Sequence, residues 1–403
     1  MNNKPSLYTR WAPSSDTPLF TPWSVLLLLL AIGALAVAAG KFIFGMHAVD
    51  NLSNDWPWGI WVSFNVMAGV ALSAGGFVTA GIVYIFRIKR YWPVIRPAVF
   101  TAFIGYVIAG AGIAIDIGRT PRIVHPLWMW QPESVMFEVA VCMTIYTTVL
   151  FFEFSPLIAE RFRLRRTLKF LHAIMIPLII LGITLSFMHQ SSLGAVHLIM
   201  PHLMYPLWYS EWMGHMFFVS AMALGLCVVI IESTISSKIF KKGLRIDLLG
   251  GLGKAAAWIL LAYLLFRFWD LNTTGRLDSF TLDNTFGWLF TVEIGLMTLA
   301  MILLFIKGVR RSAGWLFTAS MFVLIAVVLN RLTTDLIAMA PSRTTAYVPA
   351  WTELLFSIGL VAGAMFVFRV VAKYLPLFEG RGYGLSGEEE KASFSSTAET
   401  ETA

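Results

Sequence analysis

Long apolar runs separated by short polar connections dominate the hydrophobic pattern of this chain. Ten such segments begin near Trp23, Trp58, Arg96, Ser134, Leu168, Glu211, Gly251, Thr285, Ala313 and Trp351. Each is about 20 residues or longer, which is the length a helix needs to cross the hydrocarbon core of a bilayer. The pattern predicts an all-α polytopic protein with about ten transmembrane helices over residues 23–374. We expect a polar tail over residues 1–22 and a disordered one, rich in Gly, Ser, Thr and Glu, over residues 375–403.

Composition excludes a water-soluble protein. Of the 403 residues, 58% are hydrophobic and 13% are charged, whereas a soluble domain carries about 25% charged residues. Cys142 and Cys227 each lie inside an apolar run. These positions exclude a disulfide framework, a cysteine-ligated iron–sulfur cluster and a CxxCH haem attachment. The methionines are expected to fill the core rather than bind metal, so no metal site is predicted.

Basic residues are distributed unevenly between alternate connections. The two tails and the connections after segments 2, 4, 6 and 8 carry 23 of the 30 Lys and Arg residues, the other connections carry six, and Lys41 lies within the first segment. Cytoplasmic connections are enriched in Lys and Arg, so we expect both termini to be cytoplasmic. This topology explains the net charge of +7 without binding to nucleic acid.

The opposite, outward connections are rich in Trp, Pro, His and Tyr, as in residues 54–58, 124–131 and 201–209. Such residues form the aromatic belt at a membrane interface. They are also enriched in protein interfaces. Both an interfacial belt and a docking surface for a partner remain open at this point.

Several polar residues fall at membrane depth, where an ionisable side chain costs about 2.5–3.5 kcal/mol on insertion scales. The predicted topology places seven of them in the outer half: Asn65, Asp116, Glu138, His189, Arg267, Arg331 and Glu353. Pairing between carboxylates and arginines would cement a helix bundle. A carboxylic acid and an imidazole at one depth would also suit a quinone site, because both groups hydrogen-bond ring oxygens and exchange protons.

Other functions fit parts of the same pattern. His189 and His215 are both on the outer side and could supply the two axial ligands of a b-type haem. A second haem would have only His172 on the inner side. The glycines of the second and third segments, including Gly105 and Gly110, would also suit an ion or solute transporter with discontinuous helices. A purely structural anchor is a further alternative.

Seven stretches of sequence resemble the HybB-like branch of the NrfD/PsrC family, in order from about residue 45 to 373. They are PWGIWVSFN at 57–65, RPA at 96–98, IDIGR at 115–119, SVMFEVAVCMTIY at 134–146, MHQSSLG at 188–194, RLT at 331–333 and YVPAWTELLFSIG at 347–359. The stretches around Glu138 and His189 are the most specific.

The resemblance implies an architecture and a place in a larger complex. We expect two four-helix bundles, at about residues 58–190 and 211–335, with the first and last helices peripheral. Members of the family are haem-free and bind menaquinone or ubiquinone near the outer face of the cytoplasmic membrane, in bacteria or archaea. They sit beside a periplasmic, ferredoxin-like iron–sulfur subunit that serves a hydrogenase, molybdoenzyme, multihaem cytochrome or sulfur-metabolism complex. Hydrogenase-type and DsrP-type partners both fit.

The resemblance also implies roles for individual residues. Glu138 would carry protons to or from the quinone. Quinone-binding residues would be His189, Asp116, Tyr106 and Asn65. Supporting polar and charged residues would be Arg96, Arg119, Arg267, Arg331 and Glu353. A proton path toward the cytoplasm would include Glu153, Glu232 and Glu293. The hypothesis is a membrane-anchoring, quinone-reactive subunit of an oxidoreductase that exchanges electrons with the iron–sulfur subunit and has no haem or iron–sulfur cluster of its own.

Overall fold

The computed structural model describes residues 17–241 and 243–378, and every regular element in this part of the chain is helical. Ten helices are long and apolar enough to cross a membrane. They are α1 (Pro22–Phe44), α2 (Trp61–Ile85), α3 (Lys89–Asp116), α4 (Val135–Arg161), α5 (Arg165–Ile199), α6 (Met213–Ile239), α7 (Ile246–Thr273), α8 (Thr285–Phe305), α9 (Ala313–Ser342) and α10 (Trp351–Tyr374). The all-α prediction with ten spans is confirmed. The predicted tails lie largely outside the described residues.

Two helices begin about one turn or more before the start that the hydrophobic pattern indicates. α3 begins at Lys89 rather than near Arg96, and α7 begins at Ile246 rather than near Gly251. Charged residues occupy both first turns, and Arg90 pairs with Asp247 at 3.3 Å across the two helices. The helices therefore continue into the polar interface, beyond the apolar stretch that hydropathy detects.

The helices form the two expected bundles. In one, α2 packs on α3, α3 on α4, α4 on α5, and α5 back on α2. In the other, α6 to α9 close a ring in the same way. α1 and α10 pair with each other outside both rings, and α10 also packs on α2 and α3.

Glycines allow the two bundles to approach closely. α2 crosses α6 where Gly75 meets Gly225, and a Cβ on Gly225 would lie 2.5 Å from the backbone nitrogen of Gly75. Where α5 meets α6, a Cβ on Gly194 would lie 2.5 Å from the carbonyl oxygen of Met213. Small residues at helix crossings are a common packing device in membranes, so these contacts fix the relative position of the bundles.

Helices α2 and α9 contain wide, π-helical turns at Trp61–Ala68, Gly81–Ile85 and Thr333–Ile337. Insertions of this kind occur frequently at functional sites, because the extra residue redirects the side chains of a helix. Two of these turns place the polar residues Asn65 and Asp335 in the protein interior.

The membrane domain has two chemically different ends. We call the end with the connections after α2, α4, α6 and α8 the basic face, and the other end the aromatic face. Three connections on the basic face contain a basic residue in the left-handed conformation, Arg87, Arg163 and Lys241, at φ 54°, 54° and 51°. Each follows a phenylalanine that caps the preceding helix. A cation at a helix C-terminus is electrostatically favourable, which offsets part of the backbone strain.

Candidate functional site

Three aromatic side chains meet in the core of the α2–α5 bundle. Tyr106 of α3 packs edge-on against Tyr146 of α4, with ring centroids 4.6 Å apart and planes at 90°. Its other neighbour is His189 of α5, at 5.3 Å and 69°. All three are almost fully buried, and the Ser186 hydroxyl lies beside both phenol oxygens. Three helices thus bring hydroxyl and imidazole groups together at membrane depth.

The imidazole of His189 has unused hydrogen-bonding capacity. Neither Nδ1 nor Nε2 has a partner among the described residues, although the side chain has no exposed surface. A buried polar group without a partner is costly, and such groups are rare in native proteins. At membrane depth, this makes His189 a candidate for interaction with a ligand or a proton.

A cavity of about 530 Å³ lies between α3 and α4. Its lining residues are Phe103, Tyr106, Val107, Gly110, Ile113, Ile123, Ala140, Met143, Thr144, Thr147, Thr148 and Phe151. Small-molecule sites typically measure about 300–1,000 Å³ and are mainly apolar with a few polar groups. Here the polar groups are Tyr106 and three threonines. His189 is not part of the lining and lies behind Tyr106.

One face of α4 carries an ordered series of functional side chains. Glu138, Cys142, Tyr146 and Glu153 follow at spacings of four, four and seven residues, which places them on one side of a helix. Glu138 is half-buried in the first turn, after the N-cap Ser134. A carboxylate is favoured there by the helix dipole. α4 therefore connects a carboxylate near the aromatic face with a second one deep in the bundle.

Glu153 lies at the far end of this series and is buried. Its Oε1 lies 2.9 Å from the position that a Cβ on Gly182 of α5 would occupy. A small cavity of about 10 Å³ separates it from Arg96 and Tyr84. Arg96 forms an ion pair with Glu160 at 2.7 Å. Arg96 and Glu153 thus lie close to each other, well away from the cavity at Tyr106.

The α6–α9 bundle encloses a separate polar network around Glu293. This carboxylate accepts hydrogen bonds from Trp208 Nε1 at 3.0 Å, from Asn330 Nδ2 at 2.7 Å and from the Thr333 hydroxyl at 2.7 Å. Arg331 donates to the amide oxygen of Asn330 at 2.7 Å. Three side-chain donors therefore stabilise this buried carboxylate.

Arg331 and Arg267 hold backbone segments of the same bundle. Arg331 donates to the Ser220 hydroxyl at 2.7 Å and to the Phe217 carbonyl at 2.9 Å, and its guanidinium lies 3.7 Å from the Phe217 ring centroid. Arg267 donates to the carbonyl oxygen of Leu207, in the connection between α5 and α6. These contacts place both arginines in a bundle that does not contain His189.

A third group of polar residues surrounds α10. Glu353 accepts from the Tyr347 hydroxyl at 2.5 Å and from the Ala350 amide at 2.7 Å. Asn65 of α2 donates to the Ser357 hydroxyl at 3.2 Å. These bonds attach the start of α10 to α2 and to the connection before it.

Asp116 lies near this third group. It is at the end of α3, where it interacts electrostatically with Lys41, Asp50 and Glu353. Lys41 of α1 donates to the Ile117 carbonyl at 2.7 Å. The structure thus brings Tyr106 to His189, whereas Asp116 and Asn65 contact other parts of the protein.

Two further predicted residues lie apart from these groups. Arg119 is exposed after the end of α3. Glu232 of α6 accepts from the Thr101 hydroxyl of α3 at 2.7 Å, between the two bundles. The residues predicted to lie at membrane depth are therefore distributed around different helix faces rather than gathered at one site.

Sequence reasoning missed four side chains in these interiors. Tyr146 and Ser186 complete the cluster around Tyr106, and their helical spacing from Glu138 and His189 was the available signal. His197 of α5 contacts Asp335 of α9 at 2.7 Å, and both side chains are fully buried. This pair joins the two bundles, and the sequence contains no local motif that would connect residues so far apart.

Asp55 links the α1–α2 and α9–α10 connections on the aromatic face. Its Oδ2 accepts from the amides of Thr344 and Thr345 at 2.7 and 2.9 Å, and from both hydroxyls at 3.1 Å. The Thr345 amide, the Thr344 amide and the two hydroxyls lower the pKa of this carboxyl. The ionised form therefore favours the attached arrangement of the two connections.

This linkage predicts a pH dependence. A depressed folded-state pKa contributes stability above the unfolded value of about 3.9, and that stability is lost as the pH falls through the folded value. Asp55→Asn is expected to lower the midpoint of thermal unfolding at pH 7. The difference from wild type should begin to shrink below about pH 4 and vanish once the pH is below the lowered folded-state pKa. Glu211→Gln, at an exposed carboxylate, is the control. An Asp55→Asn difference that persists unchanged at low pH would contradict this assignment.

Comparisons with known proteins agree with the architecture. The family model described as "Polysulphide reductase, NrfD" matches residues 48–340. A protein of Nitratidesulfovibrio vulgaris is 34% identical over 386 residues, covering 92% of this chain and 98% of the relative. The "Probable Ni/Fe-hydrogenase 2 b-type cytochrome subunit" of Escherichia coli (strain K12) is 32% identical over 374 residues, covering 90% and 92%.

The name of a third relative includes a quinone. The "Menaquinone reductase, integral membrane subunit" of Nitratidesulfovibrio vulgaris is 28% identical over 364 residues, covering 82% of this chain and 85% of the relative. The family match covers most of the ten-helix domain, including both bundles and the Tyr106–His189 cluster. The chain therefore belongs to the NrfD family of membrane subunits of quinone-linked redox complexes.

Proposed function

We propose that this chain binds a quinone or quinol in the cavity between α3 and α4 and serves as the membrane-anchoring electron-transfer subunit of a respiratory redox complex. The observation that carries the proposal is the cavity of about 530 Å³, which Tyr106 helps to line. Behind the Tyr106 ring lies the imidazole of His189, whose two nitrogens have no hydrogen-bond partner among the described residues. A quinone supplies reversible transfer of two electrons and two protons. The chain would supply the binding pocket and the proton exchange.

The residues of the cavity fit such a molecule. The apolar side chains of α3 and α4 suit an isoprenoid tail, and Tyr106 offers a hydroxyl to a ring oxygen. His189 would act through Tyr106, because it lies behind that ring. Glu138, in the first turn of α4, would exchange protons with the solvent at the aromatic face. Asp116 and Asn65 would support the neighbouring α1–α10 side rather than touch the quinone.

The distribution of charge supports an orientation. We propose that the basic face is cytoplasmic and that the aromatic face is periplasmic, in a bacterial or archaeal cytoplasmic membrane. An iron–sulfur subunit would bind the aromatic face, on the same side as the cavity. The names of the relatives, a menaquinone reductase subunit and a hydrogenase subunit, support a redox partner of this kind.

The Escherichia coli relative is named as a b-type cytochrome subunit, so a b-type haem is the alternative ligand to consider for this chain. Two axial histidines would have to face one porphyrin-sized space. His189 is fully buried against Tyr106, whereas His215 is exposed and packs on Trp212 with ring centroids 5.4 Å apart. The two imidazoles have different surroundings, which favours the quinone over a haem held by this pair.

The test is made on the purified protein. We expect solvent extraction to yield bound quinone, and the reduced-minus-oxidised optical spectrum to lack a haem α-band. Tyr106→Phe removes one hydrogen bond and is expected to weaken quinone binding about tenfold. Tyr263→Phe, at a buried tyrosine of the other bundle, is the matched control. A b-type α-band, or solute uptake by proteoliposomes without a redox partner, would overturn the proposal.

A further inference from the structure

We infer that two connections on the basic face, residues 86–90 after α2 and residues 162–166 after α4, bind the phosphate headgroups of anionic phospholipids. The inference is independent of the proposed function, because neither connection lines the cavity between α3 and α4. It is carried by a repeated sequence, a repeated backbone conformation, and charged and apolar side chains that are exposed next to each other.

The two connections have the same sequence pattern. Residues 86–90 are FRIKR and residues 162–166 are FRLRR. Each contains a phenylalanine, an arginine, a branched aliphatic residue, a second basic residue and a final arginine. The helices before and after the two connections differ in sequence, so the match is confined to the connections. The repeat therefore reflects a requirement of the connections themselves.

The backbone follows the same path through both connections. Arg87 and Arg163 have φ 54°. The next residues, Ile88 and Leu164, have φ −85° and −83° with ψ 78° and 75°. In each connection the following amide donates to the arginine carbonyl oxygen, at 3.0 Å in the first and 3.1 Å in the second. These values describe an inverse γ-turn, so the two connections are copies of one turn.

An arginine is an unfavourable residue at the first position of this turn. Glycine is the usual residue in the left-handed conformation after a helix, because a Cβ there lies too close to the following carbonyl oxygen. Neither membrane topology nor the helix dipole requires the charge at this one position, because a basic residue elsewhere near the helix end would serve both. Backbone strain that the fold does not need indicates a function of the arginine side chains.

Most basic side chains of the two connections are free to bind an anion. The exposed ones that form no ion pair with an acidic side chain of the described residues are Arg87, Lys89, Arg163, Arg165 and Arg166. The last residue of the first connection, Arg90, pairs with Asp247. A guanidinium group binds phosphate through two parallel hydrogen bonds, so each connection offers a site for a phosphate group.

Exposed apolar side chains adjoin these charges. Phe86 is 73% exposed, Leu164 is 48% exposed, and Phe170 near the start of α5 is 60% exposed. A free anion would leave these side chains in water. An anionic phospholipid supplies a phosphate for the arginines and acyl chains for the apolar groups, and basic residues at the ends of membrane helices are known to attract such lipids. The combination therefore favours a phospholipid over a soluble anion.

The test uses the full chain purified in detergent, with thermal unfolding as the measure of lipid binding. A ligand that binds the folded state raises the midpoint of unfolding. We expect phosphatidylglycerol to raise the midpoint, and phosphatidylcholine and inorganic phosphate to leave it nearly unchanged. Added salt should reduce the rise, because it screens the interaction between charges.

Arg87→Asn and Arg163→Asn each remove the charge from one connection, and asparagine tolerates the left-handed conformation. In a titration with phosphatidylglycerol, each variant is expected to weaken binding at its own connection about fivefold. The double variant should lose most of the rise in midpoint. Lys307→Gln is the matched control, because Lys307 is exposed on the basic face but lies outside both connections. Arg163→Lys keeps the charge and should bind like wild type.

Three outcomes would overturn the inference. The first is a double variant that keeps the full rise with phosphatidylglycerol. The second is an equal loss in Lys307→Gln, because binding would then follow the total charge of the face rather than these two turns. The third is an equal rise with inorganic phosphate, which would indicate a site for a free anion. Arg163→Gly suits the same backbone conformation and decides the question if an asparagine variant does not fold. Bound quinone should be unchanged in every variant, so the proposed function is tested separately.

Discussion

Replacement of Glu138 by glutamine is expected to lower quinone-coupled turnover by about 10²–10⁴-fold, the range that a general acid or base contributes. Glutamine preserves the size of the side chain and the start of α4, but it cannot exchange a proton. Glu138 is half-buried in the first turn of α4, on the helix face that continues to Tyr146. The measurement is steady-state turnover of the intact complex with a soluble quinone analogue.

Glu133→Gln is the matched control, because Glu133 is an exposed carboxylate in the connection just before α4. It should turn over like wild type. Subunit content and bound quinone should be normal in both variants, which separates loss of chemistry from loss of assembly. Normal quinone kinetics in an assembled Glu138→Gln complex would remove Glu138 from the mechanism.

Replacement of Glu293 by leucine is expected to have the largest effect on stability. Each buried donor that loses its acceptor typically costs about 1–3 kcal/mol, because it stays desolvated without a hydrogen bond. Here Trp208, Asn330 and Thr333 would lose their acceptor. Arg331 would lose one of two neighbouring carboxylates and keep the other, Asp335. Thermal unfolding in detergent measures the change.

The second variant, Glu293→Leu with Arg331→Met, tests the mechanism of this loss. Replacing both charges by apolar groups should recover part of the stability, because the Arg331 guanidinium is then no longer buried after the loss of a neighbouring carboxylate. The folded fraction of either variant should keep quinone-coupled proton release. If Glu293→Leu is as stable as wild type, the network around Glu293 does not stabilise the fold. If proton release is slowed in the folded protein, Glu293 takes part in proton transfer.

Some features could be predicted because they depend on the bilayer rather than on contacts. Each of the ten apolar segments must satisfy its own backbone hydrogen bonds in lipid, so it forms a helix of bilayer length. The predicted first residues of α8, α9 and α10 therefore agree with the structure. It was less accurate at α3 and α7, where charged turns extend the helix into the interface.

The sequence also determined which chemistry is present. The motifs around Glu138 and His189 pointed to the NrfD family, which the match over residues 48–340 confirms. Tyr106 and His189, assigned to one site from the resemblance, are in contact in the structure.

Only the tertiary structure decided which polar residues meet. Hydropathy and topology give the depth of a residue, but the direction of its side chain around the helix axis depends on the neighbouring helices. Asn65, Arg331 and His189 were predicted to share the outer half, yet they contact Ser357, Ser220 and Tyr106 in three separate places.

The same reason explains what the sequence did not reveal. Glu153 approaches Gly182 because α4 and α5 pack together there, and His197 meets Asp335 because the two bundles pack together. Local sequence fixed the helices, their order and their chemical groups in this protein. Packing between distant helices selected which of those groups form the wall of the cavity between α3 and α4 and which form the hydrogen-bond network around Glu293.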